Sequence, residues 1–203
     1  MIKRSSIDYI NTLLSKKSDW KILDIGCGLN PNRYANVICD IQDLSDYYKD
    51  KKFIRLINKK LPFKDNEFDF VIASHVLEHV DDVEFFIKEL ERISKKGYIE
   101  LPTMLEDNLV FENKKDHLWH MDFDDVDLKL LISKKIQYFE PMLTVATIKK
   151  LNEVFRTSLV LELIWEDSIN YIVNKSTEDN FKKISLLNLL KKYFSKRLRM
   201  LFK

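Results

Sequence analysis

The chain has 203 residues, 45% of them apolar and 33% charged, which suits one soluble domain that needs no disulfide or metal staple to bury its core. Its net charge of +2 joins two unlike parts: residues 181–203 carry eight Lys or Arg and no acid, whereas residues 1–180 carry 26 basic and 32 acidic residues. No apolar run reaches the roughly 18 residues a membrane span needs, and the N-terminal segment has no signal-peptide pattern, so a cytoplasmic protein is expected.

Ile7, Ile10, Leu13 and Leu14 recur at helical spacing and predict an amphipathic helix over 5–16. WKILDIG is a short apolar run stopped by glycine, which reads as a buried strand. ANVICDI, KFIRLIN and FDFVIAS read as three more. VEFFIKELERIS has helical period, with Asp81 or Asp82 as its N-cap. GYIELPT is a fifth strand, halted by Pro102. Strands alternating with helices or crossovers predict a mostly parallel sheet covered on both faces.

After Thr103 the pattern changes. HLWHMDFDDVDLKLLIS alternates and breaks at DDVD, which predicts a β-hairpin insertion around 115–135. TVATIKKLNEVF returns to helical period. TSLVLELIWED and SINYIVNK read as two strands joined by a tight turn, hence antiparallel neighbours. One domain is expected over 1–178. Residues 179–203 form a basic tail in which Ile184, Leu187, Leu190, Phe194, Leu198 and Leu201 make an apolar helical stripe.

The chemistry concentrates in LDIGCGLNPNRYANVICD, Leu23 to Asp40. A strand ending in Gly26-x-Gly28 brings bare backbone against a ligand, and an acid ending the next strand, Asp40, suits a pair of ribose hydroxyls. A dinucleotide fingerprint wants a third glycine and a long helix whose N-terminus meets a pyrophosphate. Here Pro31 takes the third glycine's place, and only Leu29 to Asn36 separate the turn from the next strand. The expected helix is about one turn, with Asn30 as N-cap and Pro31 at its first position. Its dipole would be small, and Asp24 would repel phosphate but suit a cation. S-adenosylmethionine has an ammonium, a sulfonium, a ribose and no phosphate.

ILDIGCG resembles motif I of the class I S-adenosylmethionine-dependent methyltransferases. LPFKDNEFDFVIASHVLEHVDDVEFFIKELERISKKGYIELPT is similar to the methyltransferase type 11 pattern, so the resemblance covers residues 21 to 103. It implies an α/β Rossmann-like three-layer sandwich with a mostly parallel seven-stranded sheet, its last strand antiparallel. The resemblance implies that Asp24, Gly26 and Gly28 line the methionine end of the cofactor and that Asp40, with Ile41 beside it, holds the ribose. Ala73, Ser74 and His75 would border the sulfonium and the acceptor. Many relatives place an acid before LPF to read the adenine amino group; here Asn58 is the nearest polar candidate, its oxygen able to accept the same bond.

Outside the cofactor motifs, His117 and His75 are the candidate general bases for an acceptor that must lose a proton. Glu78 and His79 read as structural. Cys27 and Cys39 read as reduced thiols, and neither they nor the histidines of HLWH have the spacing of zinc ligands, so no metal is expected. The expected activity is methyl transfer from S-adenosylmethionine to a small-molecule or glycan acceptor at oxygen. The alternatives are a non-catalytic cofactor-binding partner of a membrane complex and a nucleic-acid methyltransferase. The tail reads as a binder of membrane surfaces or of the protein's own acidic body, making the protein peripheral at the membrane; it has few aromatic residues for stacking nucleic acid.

Overall fold

The computed structural model describes residues 1–175 and 183–201. In chain order the elements are β1 (Ile2–Arg4), α1 (Ile7–Leu14), β2 (Ile22–Ile25), β3 (Val37–Asp40), β4 (Lys52–Arg55) and β5 (Phe70–Ser74). A 3₁₀ turn (Leu77–His79) leads to α2 (Val83–Ile93) and β6 (Lys96–Pro102). Then come α3 (Met104–Leu109), α4 (Asn113–Asp116), β7 (Trp119–Asp124), β8 (Lys129–Lys134), α5 (Val145–Leu159), β9 (Val160–Glu166), β10 (Tyr171–Asn174) and α6 (Leu186–Leu201).

Seven strands form the main sheet in the order β1-β9-β6-β5-β2-β3-β4. From β6 to β4 all pairings are parallel, while β9 runs antiparallel to both β6 and β1. The molecule is an α/β Rossmann-like sandwich. Strands β2 and β3 are buried along their full length, as inner parallel strands must be when both faces are covered. Alternate side chains serve opposite faces. Leu23, Ile25, Val37, Cys39, Val71 and Ala73 join the core under α2, whose Val83, Phe86, Ile87, Leu90 and Ile93 pack on it. Ile22, Ile38, Phe70, Ile72 and Tyr98 face Ile10 and Leu14 of α1 on the other side.

Local chemistry sets the helix starts. Ser6 caps α1 through Tyr9 N–H, and Asp82 caps α2 through Phe85 N–H. The hydrogen bond resolves the choice between Asp81 and Asp82. The strand β1 went unread in the sequence because three residues are too few for a period to emerge.

Two connections differ from expectation. No helix follows Gly28; residues 29–36 make turns only. And β10 does not pair with β9. It lies parallel to β8 in a second sheet of order β10-β8-β7. The chain leaves the main sheet at Asp167, in left-handed conformation, where Asp167 N–H bonds Lys95 O and Ile169 N–H bonds Glu91 Oε1. Those anchors carry the strand to the free edge of the β7–β8 hairpin, where Tyr171 and Val173 pack on the main core. The boundary expected at 178–179 lies outside the described residues. In α6, Leu187, Leu190, Phe194 and Leu198 are all exposed.

The closest approach in the sheet is at Gly97 of β6. A Cβ there would stand 2.5 Å from Val71 O and 2.6 Å from Trp165 Nε1, and Trp165 is fully buried. Gly97→Ala should therefore destabilise the protein by about 1–3 kcal/mol through overpacking, read as a lowered midpoint in urea denaturation followed by circular dichroism.

Candidate functional site

The chain runs from β2 to β3 and β4 on one side, then returns across β2 to β5 on the other. Such a switch point opens a crevice at the carboxyl ends of the strands. A cavity of about 640 Å³ lies there, lined by the Gly26–Gly28 turn, by Asp40 and Ile41 after β3, and by His75 and the turn beyond β5. Both glycines have positive φ, +68° and +49°. A Cβ on Gly26 would also meet Val76 Cγ2 at 2.5 Å, whereas one on Gly28 would meet open space. His75 has φ +54°, a conformation that costs a non-glycine residue free energy and tends to collect at functional sites.

The turn is held by two buried carboxylates. Asp40 accepts from Gly28 N–H through Oδ2 and from Gln42 N–H through Oδ1, both at 2.9 Å. Asp24 accepts from Asn32 N–H at 2.7 Å, and Asn32 Oδ1 in turn accepts from Tyr34 N–H. Tyr48 closes the far side, its hydroxyl donating to Gly28 O at 2.7 Å. Where a helix N-terminus would stand, side-chain oxygens take the backbone N–H groups instead. Burial pushes the Asp24 carboxyl up to about 6, against the lowering effects of the Asn32 bond and of Lys51. Burial likewise pushes the Cys27 thiol up to about 12, aided by Asp24 and Asp40, so this cysteine is not a nucleophile near neutral pH.

His75 sits between two glutamates. Its Nε2 is 3.3 Å from Glu100 Oε1 and its Nδ1 is 3.2 Å from Glu78 Oε1. Burial alone would lower the imidazole's pKa, but the two carboxylates outweigh it and raise it to about 10. His75 is therefore a cation at neutral pH. The two carboxylates thus favour the protonated ring, the opposite of the neutral form a base at this position would need. Behind it, Arg156 Nη2 bonds Glu100 Oε2 at 2.5 Å and Glu162 Oε1 at 3.0 Å, and Tyr98 Oη bonds both glutamates at 2.7 Å. Burial opposes ionisation of Glu100, yet His75 and Arg156 hold it down to about 2.

His117, at the end of α4, is buried. Its Nδ1 is hydrogen-bonded to Asp107 Oδ1 from α3, and its ring packs edge-to-face on His79, centroids 4.5 Å apart. Leu118 N–H bonds Glu78 O at 2.7 Å, and Trp119 Nε1 bonds Val80 O at 2.8 Å. These bonds tie the hairpin entry to the turn after β5. His79 and Asp116 line the cavity; His117 stands directly behind His79.

The residues expected at the site thus divide. Gly26, Gly28, Asp40, Ile41 and His75 line the cavity. Asp24, Ala73, Ser74, Asn58 and His117 do not. Asp24 and Ala73 are buried beneath the turn and in the core, and Ser74 is half-buried in β5. Asn58 is exposed on the loop after β4, and Leu56 and Lys59 of that loop line the cavity. The apolar wall of Val76, Val80, Phe85 and Phe86, with Asp81, Asp82 and Asp116 at its rim, went unnamed in the sequence. Its signal was present: HVLEHVDDVEFF directly follows the strand whose end opens the crevice.

The parts present fit an adenosine-bearing cationic cofactor. There is a glycine turn with open space at Gly28, an acid whose two oxygens each keep a lone pair, an apolar wall, and no phosphate-binding helix end. Residues 23–99 match the family described as "Methyltransferase domain". An uncharacterised protein of Methanocaldococcus jannaschii, MJ0638, is 29% identical over 77% of this chain and 85% of its own length. A sterol 24-C-methyltransferase of Gibberella zeae, ERG6B, is 29% identical over 54% of this chain but only 35% of its own length. Among solved structures, the PH0226 protein of Pyrococcus horikoshii aligns with a TM-score of 0.46 at 18% identity, covering 79% of this chain and 88% of its own. The sheet order and the crevice at its switch point define a Rossmann-like fold. Residues 23–99 of this chain are thus similar to a methyltransferase domain, over somewhat more than a third of its length.

A pH test follows from Asp24. Its folded value, about 6, lies above the unfolded value near 3.8. The folded state thus binds the proton more tightly, and stability is lost as pH rises from about 4 to about 6. Relative to Asp24→Asn, which keeps an oxygen for Asn32 N–H, wild type should lose up to about 3 kcal/mol across that window, measured as the difference between their urea-unfolding free energies.

Proposed function

We propose that this protein is an S-adenosylmethionine-dependent methyltransferase that acts on an oxygen of a small-molecule or glycan acceptor. S-adenosylmethionine supplies an already activated methyl group, so the protein's task is alignment and proton handling, and alignment alone can be worth roughly 7–11 kcal/mol of barrier. The observation that carries the reading is the His79–His117–Asp107 wall beside the cavity. A hydroxyl acceptor must lose its proton; His79 lines the cavity with its Nδ1 held by Asp116 O and would take that proton, while His117, tied to the buried Asp107, packs behind it as a positioning residue. Asp40 is the residue proposed to hold the ribose, with Gly26 and Gly28 at the methionine end and Ile41 beside the ribose. Asp24 acts as a positioning residue through Asn32. Cationic His75, with Glu100 and Arg156 behind it, fixes the cavity's charge without acting as a base.

The tail supports a further proposal about place of action. Leu187, Leu190, Phe194 and Leu198 of α6 are exposed alongside Lys191, Lys192, Lys196, Arg197 and Arg199. A basic amphipathic helix of this kind fits a membrane surface bearing anionic lipid, which would suit a lipid-linked glycan acceptor. Among the described residues no helix is long and apolar enough to cross a membrane.

Titration calorimetry should show S-adenosylmethionine binding that Asp40→Ala weakens at least tenfold; unchanged binding would remove Asp40 from the site. Labelled methyl should pass to hydroxyl-bearing small molecules or glycolipid extract and not to RNA; labelling of RNA alone would overturn the acceptor class. Deleting 181–203 should abolish sedimentation with anionic vesicles while leaving cofactor affinity intact.

A further inference from the structure

Glu78 and His79 follow β5, and His117 precedes β7, 38 residues further along the sequence. The fold brings one potential ligand atom from each within 4.8 Å of the other two. Three ligand atoms each about 2.0–2.2 Å from one ion stand roughly 3.3–3.8 Å apart, so side-chain rotation closing a gap of at most about 1 Å would let the three share a metal. We propose that Glu78, His79 and His117 form a binding site for a divalent first-row transition-metal ion of the zinc class.

The ring tautomers suit the role. His79 Nδ1 is 3.0 Å from Asp116 O, where it can only be the donor. His117 Nδ1 is bound to Asp107 Oδ1. Each ring can therefore direct its Nδ1–H to an oxygen and keep its Nε2 lone pair for a metal. A histidine ligand with its second nitrogen held by a carboxylate or carbonyl is the usual outer-shell arrangement of a metal site.

Glu78 supplies an independent observation. Its side chain is fully buried, yet neither carboxylate oxygen has a hydrogen bond. Oε1 has only the ion-pair approach of His75 Nδ1 at 3.2 Å, and Oε2 has no partner at all. A buried carboxylate oxygen without a partner costs free energy that a cation would recover. The three ligands sit on backbone that is already cross-tied by the Leu118–Glu78 and Trp119–Val80 bonds, so the site needs little ordering on binding. His79 is exposed toward the cavity, which leaves coordination positions open on that side. Asp81, Asp82 and Asp116 at the rim give the entrance a negative potential.

The donor set selects the ion. Two imidazoles and one carboxylate favour zinc, cobalt, manganese or iron over magnesium and calcium, which prefer all-oxygen shells. The spacing along the sequence hid the site, because a two-residue fragment and a distant histidine match no zinc pattern.

An ion there would lie on the wall where the acceptor's oxygen is proposed to lose its proton. It would lower that hydroxyl's pKa by direct coordination, the proton leaving to solvent, and His79 would be a ligand in place of a base. This use of the metal rests on the oxygen-acceptor reading; the existence of the site does not.

The test uses the full chain, stripped with chelator and free of cofactor, titrated with Co²⁺ as probe for zinc. One equivalent should bind with visible d–d absorption, resist excess Mg²⁺ and be displaced by Zn²⁺. His79→Ala, an exposed substitution, and Glu78→Gln should each weaken Co²⁺ binding at least tenfold, with circular dichroism confirming the fold. Absence of saturable binding, or binding indifferent to both substitutions, overturns the proposal. If the metal binds but no hydroxyl acceptor is methylated, the acceptor reading fails alone. If methylation proceeds in protein that binds no metal, the metal proposal fails alone.

Discussion

Two buried carboxylates accepting backbone N–H groups hold the cofactor turn in place, and the rest of the site is arranged around them. In most nucleotide-binding βαβ units that turn is fixed by the helix that follows it, whose N–H groups and dipole also serve the ligand. Here eight residues leave no room for such a helix. Asp24 takes the Asn32 N–H and Asp40 takes those of Gly28 and Gln42. Replacing a helix dipole by two carboxylates reverses the charge presented near the ligand. A diphosphate would be repelled, whereas a sulfonium and an ammonium are tolerated. The compressed connection and the charge presented at the crevice are thus consequences of one arrangement.

The opposite wall depends on charge compensation. His75 is held in a left-handed conformation between Glu78 and Glu100, and Arg156 balances the glutamates from behind. With a glutamate on each side, that histidine completes a charge network at the cavity wall. One turn away, His79 and His117 meet across the bond between Leu118 and Glu78. The entry to the β7–β8 hairpin is therefore fastened to the turn after β5, which keeps His117 against His79.

Much of the scaffold was legible because its signals are local. Apolar runs cut by Gly26 and Pro102 mark strands, and Asp82 marks the start of α2, since a cap bonds its own first turn. Motif I and its Asp40 could be read for the same reason: turn, strand and acid are contiguous. Asn58 was misplaced because loop residues after β4 have no period to say which of them turns inward. The partner of β10 was misread because pairing is a contest between free edges, and the edge of β8 lies elsewhere in the chain.

The sequence by itself determined the strand order's raw material, the glycine turn, its acid and the absence of a phosphate-binding helix, since each of these is set within a few residues by backbone conformation and hydrophobic period. The protonation of His75, the burial of Asp24 and the meeting of Glu78, His79 and His117 were decided only by tertiary structure. Those properties depend on desolvation and on charges brought within a few ångströms from distant segments, and neither quantity exists until the chain has folded.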